Sequence, residues 1–265
     1  MQIVLTDVTK RYRADQDPAV AGVSLTAQTG ERVSVIGPSG AGKTTLFRLL
    51  TRSLAPDSGS VRVGGSELGH ASQRELRRLR RRMGVIHQRG DLVPVSSALL
   101  NVAAGAVRGT GTAALRLSLR GPSADITRRA FEALEEVEIA SLAYSRVEEL
   151  SGGQRQRVAV ARLLVARPEL IMADEPTASV DPRSAGIVLG ALERLAAAGA
   201  TLVLATHDLS IARRHHRVLA LQKGRLAFSG RPEQLVPEVV EQVYAADTPA
   251  GQALRSPPVR ARGCR

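Results

Sequence analysis

The sequence predicts an α/β fold in which helices pack on a parallel β-sheet, with a small antiparallel β layer and an inserted α-helical sub-domain. Short apolar, β-branched runs alternate with helical patterns along most of the chain, which favours a parallel sheet covered by helices. The runs Val23–Ala27 and Ser60–Val63 are typical of a smaller antiparallel layer. No strand pattern appears between about Gln88 and Leu150, so this stretch is predicted to form the helical insert.

Several short runs are predicted as strands of the main sheet by their length and β-branched composition. They are Gln2–Asp7, Arg32–Ile36, Met83–His87, Leu170–Ala173, Thr201–Ala205 and Arg217–Leu221. The insert is predicted over about 88–150 and contains a Gly- and Ser-rich loop, GAVRGTGTAALRLSLRGPS. Residues 1–246 then form one domain, and the tail 247–265, rich in Pro, Gly and Arg, is predicted to be disordered.

Composition is that of an ordinary globular protein and disfavours two classes of function. No apolar run in the 265 residues reaches the roughly 18 residues that a membrane span needs. The single cysteine, Cys264, lies in the tail, so a reducing, cytoplasmic location is expected. The net charge of +12 is mostly scattered arginine and aromatics make up only 2% of the chain, so nucleic acid is not the expected partner. Attraction to an anionic membrane surface is the secondary alternative.

The segment from Gly37 to Thr44 matches the phosphate-binding pattern G-x-x-x-x-G-K-[ST] and lies between the strand RVSVI and the helix KTTLFRLLTRSL. Backbone N–H groups surround the phosphates, Lys43 reaches the β- and γ-oxygens, and the Thr44 hydroxyl binds Mg²⁺. The alternative, a chance Gly-rich turn, is disfavoured by this context. The fold class is therefore refined to a P-loop NTPase (RecA-like) sheet. The predicted nucleotide-binding residues here are Gly37, Pro38, Ser39, Gly40, Ala41, Gly42, Lys43, Thr44 and Thr45.

Two carboxylates, Asp174 and Glu175, follow the apolar run LIMA. In an open α/β sheet the carboxyl ends of the strands line the ligand crevice, so we expect this pair beside the phosphate loop. Asp174 is then expected to hold Mg²⁺ through water, and Glu175 to polarise the attacking water. Alone, the pair would be weak support, because acidic residues often flank strands.

A second anion site is predicted at LSGGQ, where a helical stretch follows Ser151. Ser151 is a favourable N-cap, and Gly152 and Gly153 leave the first backbone N–H groups of the helix unobstructed. A helix start of this kind binds anions because its N–H groups and its dipole both favour negative charge.

Taken together, the phosphate loop, LSGGQ and the Asp-Glu pair resemble those of the nucleotide-binding subunit of an ATP-binding-cassette (ABC) transporter, over about residues 2–246. The resemblance implies ATP and Mg²⁺ as cofactors. It also implies a head-to-tail dimer of two copies, which ATP closes and hydrolysis opens. In that dimer, ATP on one P-loop meets four residues of the other copy: Ser151, Gly152, Gly153 and Gln154.

The resemblance assigns roles to further positions. Tyr12 corresponds to the aromatic residue that stacks on adenine, with a surface tyrosine as the open alternative. Gln88 corresponds to the glutamine that completes the Mg²⁺ and water shell and senses the membrane partner. Asp181 corresponds to the aspartate that crosses to the other subunit, and His207 to the switch histidine at the γ-phosphate, with a helix cap as the alternative. Catalytic roles are therefore expected for Glu175, His207, Gln88 and Lys43, and metal ligation for Thr44, Gln88 and Asp174.

The transported solute is inferred from a finer resemblance. The segments RGDLVPVSSALLNVAAG and ADEPTASVDP resemble those of phosphonate-type importer ATPases, which implies a phosphonate or a related phosphorus oxyanion as cargo. This chain departs from that pattern at His87, Asp91, Val180 and the segment ATHD. His87 and Asp91 flank the surface that faces the membrane partner, so these departures affect the inferred transported substrate more than the inferred ATPase activity. The alternatives are a lipoprotein-release or macrolide-type exporter ATPase, or an amino-acid importer ATPase; DNA-repair and translation cassettes are disfavoured.

The expected partners are a second copy of the chain, transmembrane permease subunits and a separate solute-binding protein, at the cytoplasmic face of the bacterial inner membrane. A short permease helix is predicted to contact Leu92, Val93 and Leu99, because apolar residues directly after a site glutamine would otherwise form an exposed patch. The arginine-rich helix from Ser72 to Arg82 is interpreted as a solvated face, with lipid or partner contact as the alternative. The remaining histidines with no motif are predicted at the surface: His70, His215 and His216.

Overall fold

The computed structural model describes residues 1–87, 92–107, 121–178 and 180–245. Its larger sheet consists of β3 (Arg32–Ile36), β6 (Met83–Ile86), β7 (Leu170–Asp174), β8 (Thr201–Ala205), β9 (Arg217–Gln222) and β10 (Arg225–Gly230). These six strands lie in the order β10-β9-β3-β8-β7-β6. Neighbouring strands from β9 to β6 are parallel, and β10 pairs antiparallel with β9 at one edge. The predicted parallel sheet is confirmed.

The smaller sheet is antiparallel and consists of β1 (Ile3–Lys10), β2 (Val20–Ala27), β4 (Ser58–Val63) and β5 (Ser66–Glu67). Its order is β2-β1-β4-β5, and the predicted antiparallel layer is confirmed. The assignment of Gln2–Asp7 to the parallel sheet is wrong, because β1 pairs with β2 and β4 in this layer. The composition of a strand does not identify its partners. The short strand β5 and the edge strand β10 were not predicted.

The helices are α1 (Lys43–Leu50), α2 (Gln73–Arg80), α3 (Ala98–Ala103), α4 (Ala124–Glu136), α5 (Gly152–Ala166), α6 (Pro182–Ala197), α7 (Leu209–Ala212) and α8 (Pro237–Tyr244). Most begin after a Ser or Asp whose side chain accepts a backbone N–H of the first turn, which satisfies one of the donors left free at a helix start. Of these helices, none is long and apolar enough to cross a bilayer, within the part of the chain that the structure describes.

Apolar residues cover both faces of the larger sheet. One cluster joins α3, α4, α5 and α6 to residues of β7 and β8 that point to the same face, including Ile171 and Leu204. A second cluster joins α1 and the antiparallel sheet to the opposite face. The residues of β7 and β8 are buried at every position, as expected for strands covered on both sides.

Helices rather than strands follow β6, in the described residues 92–107 and 121–150, apart from one isolated bridge between Ser97 and Arg146. The boundaries of the predicted sub-domain at 88 and 150 stay predictions. The tail 247–265 and Gln88 lie outside the described residues.

Candidate nucleotide-binding site

The phosphate loop connects β3 to α1 and holds two glycines in conformations that a side chain would not tolerate. Gly37 has φ +144°, and a Cβ there would lie 2.2 Å from the Leu221 carbonyl oxygen. Gly42 has φ +108°, and a Cβ there would lie 2.3 Å from the Ala19 carbonyl oxygen. Both positions therefore require glycine for the loop to curl against β9 and the segment before β2.

Lys43 is buried and points back into the loop. Its Nζ donates to the carbonyl oxygens of Gly37 at 2.6 Å and Pro38 at 3.2 Å. It also forms an ion pair with Glu175 Oε1 at 3.8 Å. These contacts satisfy a buried ammonium group, and they show that Lys43 and Glu175 face the same space although they lie far apart in sequence.

Thr44 and Asp174 form a direct link between the loop and the end of β7. The Thr44 hydroxyl donates to Asp174 Oδ2 at 2.8 Å. Burial raises the pKa of the Asp174 carboxyl, and the Thr44 hydrogen bond and the nearby charges of Lys43 and His87 offset this only in part. A buried carboxylate and a hydroxyl are oxygen ligands of the kind that Mg²⁺ takes beside substrate phosphates, so these two residues fit that ion.

Replacing Asp174 is expected to stabilise the protein in the absence of nucleotide and metal. Because the folded pKa is raised, the folded state binds the proton more tightly, and stability falls as the pH rises through the pKa range of this group. Asp174→Asn is therefore expected to raise the melting temperature at pH 7, by about 2–4 °C for each kcal/mol gained. This increase in melting temperature should become smaller at acidic pH, where the wild-type Asp174 carboxyl is protonated.

Melting curves at several pH values would check this, with Asp125→Asn on the exposed face of α4 as the matched control. A lower melting temperature for Asp174→Asn at pH 7 would mean that the lost attraction to Lys43 outweighs the relief of burial.

Glu175 and His207 meet in front of the loop. Glu175 has φ +49°, a left-handed conformation that is strained for a residue with a side chain, and its N–H donates to the Ala205 carbonyl at 3.0 Å. His207 Nδ1 lies 3.8 Å from Glu175 Oε1. Asp208, not His207, caps α7, so the capping alternative for His207 is excluded.

Tyr12 lies at the other end of the same space. Its hydroxyl lies 3.2 Å from Thr45 Oγ1 and accepts a hydrogen bond from Arg48 at 3.4 Å. Half of Tyr12 is exposed, so an aromatic face is available to a ligand. A cleft of about 430 Å³ is lined by Tyr12, Ala19, Ser39, Gly40, Ala41, Gly42, Lys43, Thr44, Thr45 and Glu175.

The LSGGQ segment forms the start of α5, as the sequence suggests. Ser151 Oγ accepts from the Gln154 N–H at 3.3 Å, and Gln154 Oε1 accepts from the Ser151 N–H at 2.8 Å. Gly152 is exposed. Gly153 is buried, and a Cβ there would lie 2.9 Å from Ser184 Oγ, so this glycine also allows α5 to pack on α6.

Asp181 lies beside this helix start and caps α6. Its Oδ1 accepts from the Ser184 N–H at 2.9 Å, and hydrogen bonds from Ser184 hold the pKa of its carboxyl below the usual range. Neither Asp181 nor residues 151–154 are among the described residues that line the cleft. The cleft and the start of α5 are therefore separate features of the described chain, and the predicted roles of their residues stay predictions.

Two positions are placed differently from the sequence prediction. His215 is buried, not at the surface, with Nδ1 2.6 Å from the Ser34 hydroxyl of β3, and burial lowers its pKa to about 4. Leu99 is buried in the helical cluster, so it is not available as a direct contact for a partner. Neither His215 nor Leu99 lies in a motif that indicates whether the side chain is buried or exposed, so the sequence alone does not predict their burial. His70 and His216 are exposed, as predicted.

Known proteins match this chain over most of its length. The ABC transporter family model matches residues 20–178. A phosphonates import ATP-binding protein of Ruegeria sp. (strain TM1040) is 41% identical over 243 residues, covering 91% of this chain and 93% of that protein. A second protein of that name, from Bradyrhizobium diazoefficiens, is 38% identical over 260 residues, covering 96% and 95%.

Solved structures agree with the sequence matches. The bacterial ABC transporter cassette MJ0796, solved as a dimer, has a TM-score of 0.78 at 32% identity and covers 87% of this chain and 98% of its own. The same cassette in a post-hydrolysis state bound to ADP and Pi has a TM-score of 0.76 at 32% identity, with the same coverage. The cleft with Lys43, Thr44 and Glu175, and with Asp174 bound to Thr44, thus lies in a fold that is shared with an ABC cassette solved in a post-hydrolysis state. The chain belongs to the ABC transporter family and is an ATPase of that family.

Proposed function

We propose that the chain is the ATP-hydrolysing subunit of an importer for phosphonates or a related phosphorus oxyanion. The observation that carries the ATPase part is the convergence of Lys43, Thr44 and Glu175 on one cleft, with Asp174 accepting a hydrogen bond from Thr44. The cargo is supported by relatives at 36–43% identity that are phosphonates import proteins.

The chemistry of the site follows from the groups that face the cleft. Lys43 binds the β- and γ-phosphates, and the exposed backbone of Ser39 and Gly40 completes the phosphate cradle. Thr44 and Asp174, with Gln88, would hold Mg²⁺, which supplies charge neutralisation at the phosphates. Glu175 accepts the proton of the attacking water, and His207 donates a hydrogen bond to the γ-phosphate.

The proposed working unit is a two-fold dimer. Ser151 and Gly152 of the same chain are not among the described residues that line the cleft. A second copy can therefore present its α5 start to the γ-phosphate, with Asp181 next to it. Support comes from the likeness to MJ0796, which was solved as a dimer.

A permease is proposed to dock on the loop 92–97 and the helices after it. Asn101 holds this loop, since its Oδ1 accepts from the Val93 N–H at 2.7 Å and its Nδ2 donates to the Val93 carbonyl at 3.1 Å. The loop exposes Val93 and Val95 by 53% and 67%. Leu100 and Tyr144 add further exposed apolar surface in the same helical layer. A fixed loop with exposed valines is suited to bind an apolar partner helix.

Val93→Glu with Val95→Glu is expected to abolish co-purification with the permease while ATP hydrolysis by the isolated chain remains within about two-fold of wild type, since surface substitutions rarely disturb a fold. The control is Val236→Glu, an exposed valine outside this layer. Normal co-purification of the double variant would place the docking surface elsewhere.

The proposed location is the cytoplasmic face of the bacterial inner membrane, with a separate solute-binding protein that delivers the cargo. A strain without this chain is expected to lose growth on a phosphonate as the sole phosphorus source and to keep growth on inorganic phosphate. The wild-type chain should restore growth, and Lys43→Ala should not. Unchanged growth on phosphonates in a strain that lacks other phosphonate importers would exclude this cargo while leaving the ATPase assignment intact.

A further inference from the structure

Tyr12 lies in the segment 11–19 between β1 and β2, which belongs to no helix or strand. A side chain on such a segment is usually free to change its orientation, and a ligand that contacts it then binds more weakly, because binding has to order it. In this chain, contacts on three sides hold Tyr12 in place beside the cleft.

The backbone that leads into Tyr12 is fixed by Asp57, which directly precedes β4. Asp57 Oδ2 accepts from the Arg11 N–H at 2.7 Å, and Oδ1 accepts from Lys10 Nζ at 2.5 Å. The hydrogen bonds from Lys10 and Arg11 hold the pKa of the Asp57 carboxyl below its usual range, so it is ionised at neutral pH. Asp57 therefore holds the two residues before Tyr12.

The side chain of Arg11 closes the turn that follows Tyr12. Its Nη1 donates to the carbonyl oxygens of Ala14 at 3.3 Å and Gln16 at 2.5 Å. The Gln16 N–H donates in turn to the Arg13 carbonyl oxygen at 3.2 Å. The chain is thus fixed on both sides of Tyr12.

The hydroxyl of Tyr12 is anchored to α1. Thr45 and Arg48 lie three residues apart on this helix, so their side chains share one face. The hydroxyl lies 3.2 Å from Thr45 Oγ1 and accepts from Arg48 Nη1 at 3.4 Å. Because the hydroxyl is engaged in this way, Tyr12 presents its ring to the cleft that it lines.

A ring held in one orientation is suited to bind a planar group. Lys43 lies at one end of the cleft and Tyr12 at the other, so a nucleotide with its phosphates at Lys43 can extend its base towards the ring. An aromatic ring stacks on any base, and a ring that is already ordered loses little freedom when it does so.

We propose that Asp57 and Arg48 are positioning residues that hold the Tyr12 ring ready to stack on the base of a bound nucleotide. Asp57 acts through the backbone before Tyr12, and Arg48 acts through its hydroxyl. Neither Asp57 nor Arg48 is among the described residues that line the cleft. The inference rests on the proposed binding of a nucleotide in this cleft.

The test compares the affinities for ADP and inorganic pyrophosphate in the presence of Mg²⁺, measured by titration calorimetry. Both ligands offer two phosphates to the loop, but only ADP has a base. Arg48→Ala and Asp57→Ala are each expected to lower the affinity for ADP about 2- to 10-fold, the effect of having to order one side chain on binding. The affinity for pyrophosphate should stay at the wild-type value, because the phosphate loop is unchanged.

Glu67→Ala is the matched control for Asp57→Ala. Glu67 lies in the same antiparallel sheet and is also paired with a basic residue, Arg62, at 3.1 Å. It should leave the affinities for ADP and pyrophosphate unchanged.

Removal of the ring separates positioning from a structural role. Tyr12→Ala is expected to lower the affinity for ADP about 5- to 150-fold, the range for the loss of one stacked base. In this background Arg48→Ala and Asp57→Ala should have no further effect, because no ring is left to position.

The inference is overturned if the affinity for ADP is unchanged in any of the three single variants of Tyr12, Arg48 and Asp57. It is also overturned if Arg48→Ala or Asp57→Ala weakens pyrophosphate binding as much as ADP binding, or if its effect on ADP persists without the ring. If Lys43→Ala leaves the affinities for both ligands unchanged, the proposed nucleotide site fails, independently of Tyr12.

Discussion

Glu175→Gln is expected to lower ATP hydrolysis by about 10²- to 10⁴-fold, the usual contribution of a general base. The amide keeps the size of the side chain and its backbone position at φ +49°, but it cannot accept the proton of water at neutral pH. The contact of Glu175 Oε1 with Lys43 Nζ at 3.8 Å loses its ionic component. ATP binding should persist, because Lys43 and the loop backbone are unchanged. Phosphate release at saturating ATP measures the rate.

Glu132→Gln is the matched control, since Glu132 lies on the exposed face of α4 in an ion pair with Arg128. It should hydrolyse ATP at the wild-type rate. Turnover by Glu175→Gln above about a tenth of the wild-type rate would assign the base to another residue, because loss of a general base costs at least two orders of magnitude.

The parts of the site that the sequence predicts are those in which local structure and chemistry coincide. Gly37 and Gly42 have positive φ angles and close backbone neighbours, which only glycine tolerates. The sequence pattern is therefore enough to locate the phosphate loop. The strand LIMAD is buried throughout and ends at the edge of the sheet where parallel strands bind ligands. The sequence therefore predicts that Asp174 lies beside the phosphate loop, where it accepts a hydrogen bond from Thr44.

The parts that the sequence does not predict depend on tertiary partners. β1 has the composition of a core strand, and only its pairing with β2 and β4 places it in the antiparallel layer. His215 is buried because Ser34 provides a hydrogen bond inside the core, which sequence patterns do not encode.

His87 is a departure from the phosphonate-type pattern with a visible consequence. The sequence relates it to the surface that faces the membrane partner. His87 is also near enough to Asp174 to offset slightly the burial that raises the pKa of that carboxyl. A residue that directly follows β6 can thus act on Asp174 at the end of β7.

The second large effect is expected on dimerisation, in a variant that binds ATP but does not hydrolyse it. In the Glu175→Gln background, ATP is expected to hold two copies together, because hydrolysis no longer removes the γ-phosphate that joins them. Size-exclusion chromatography should show a dimer with ATP and a monomer with ADP. Adding Ser151→Arg should abolish the dimer, because a bulky side chain at the start of α5 blocks the approach of this helix to the facing phosphate.

Ser123→Arg is the matched control for that variant. Ser123 is exposed and caps α4 as Ser151 caps α5, with its side chain accepting a backbone N–H of the first turn. Both changes remove a cap, at about 1 kcal/mol each, but only Ser151 lies at the proposed dimer contact. ATP binding by the monomer should survive both changes, since neither serine lines the cleft in the described part of the chain. If the Ser151→Arg protein still dimerises with ATP, or if Ser123→Arg breaks the dimer equally, the start of α5 is not the second half of the ATP site.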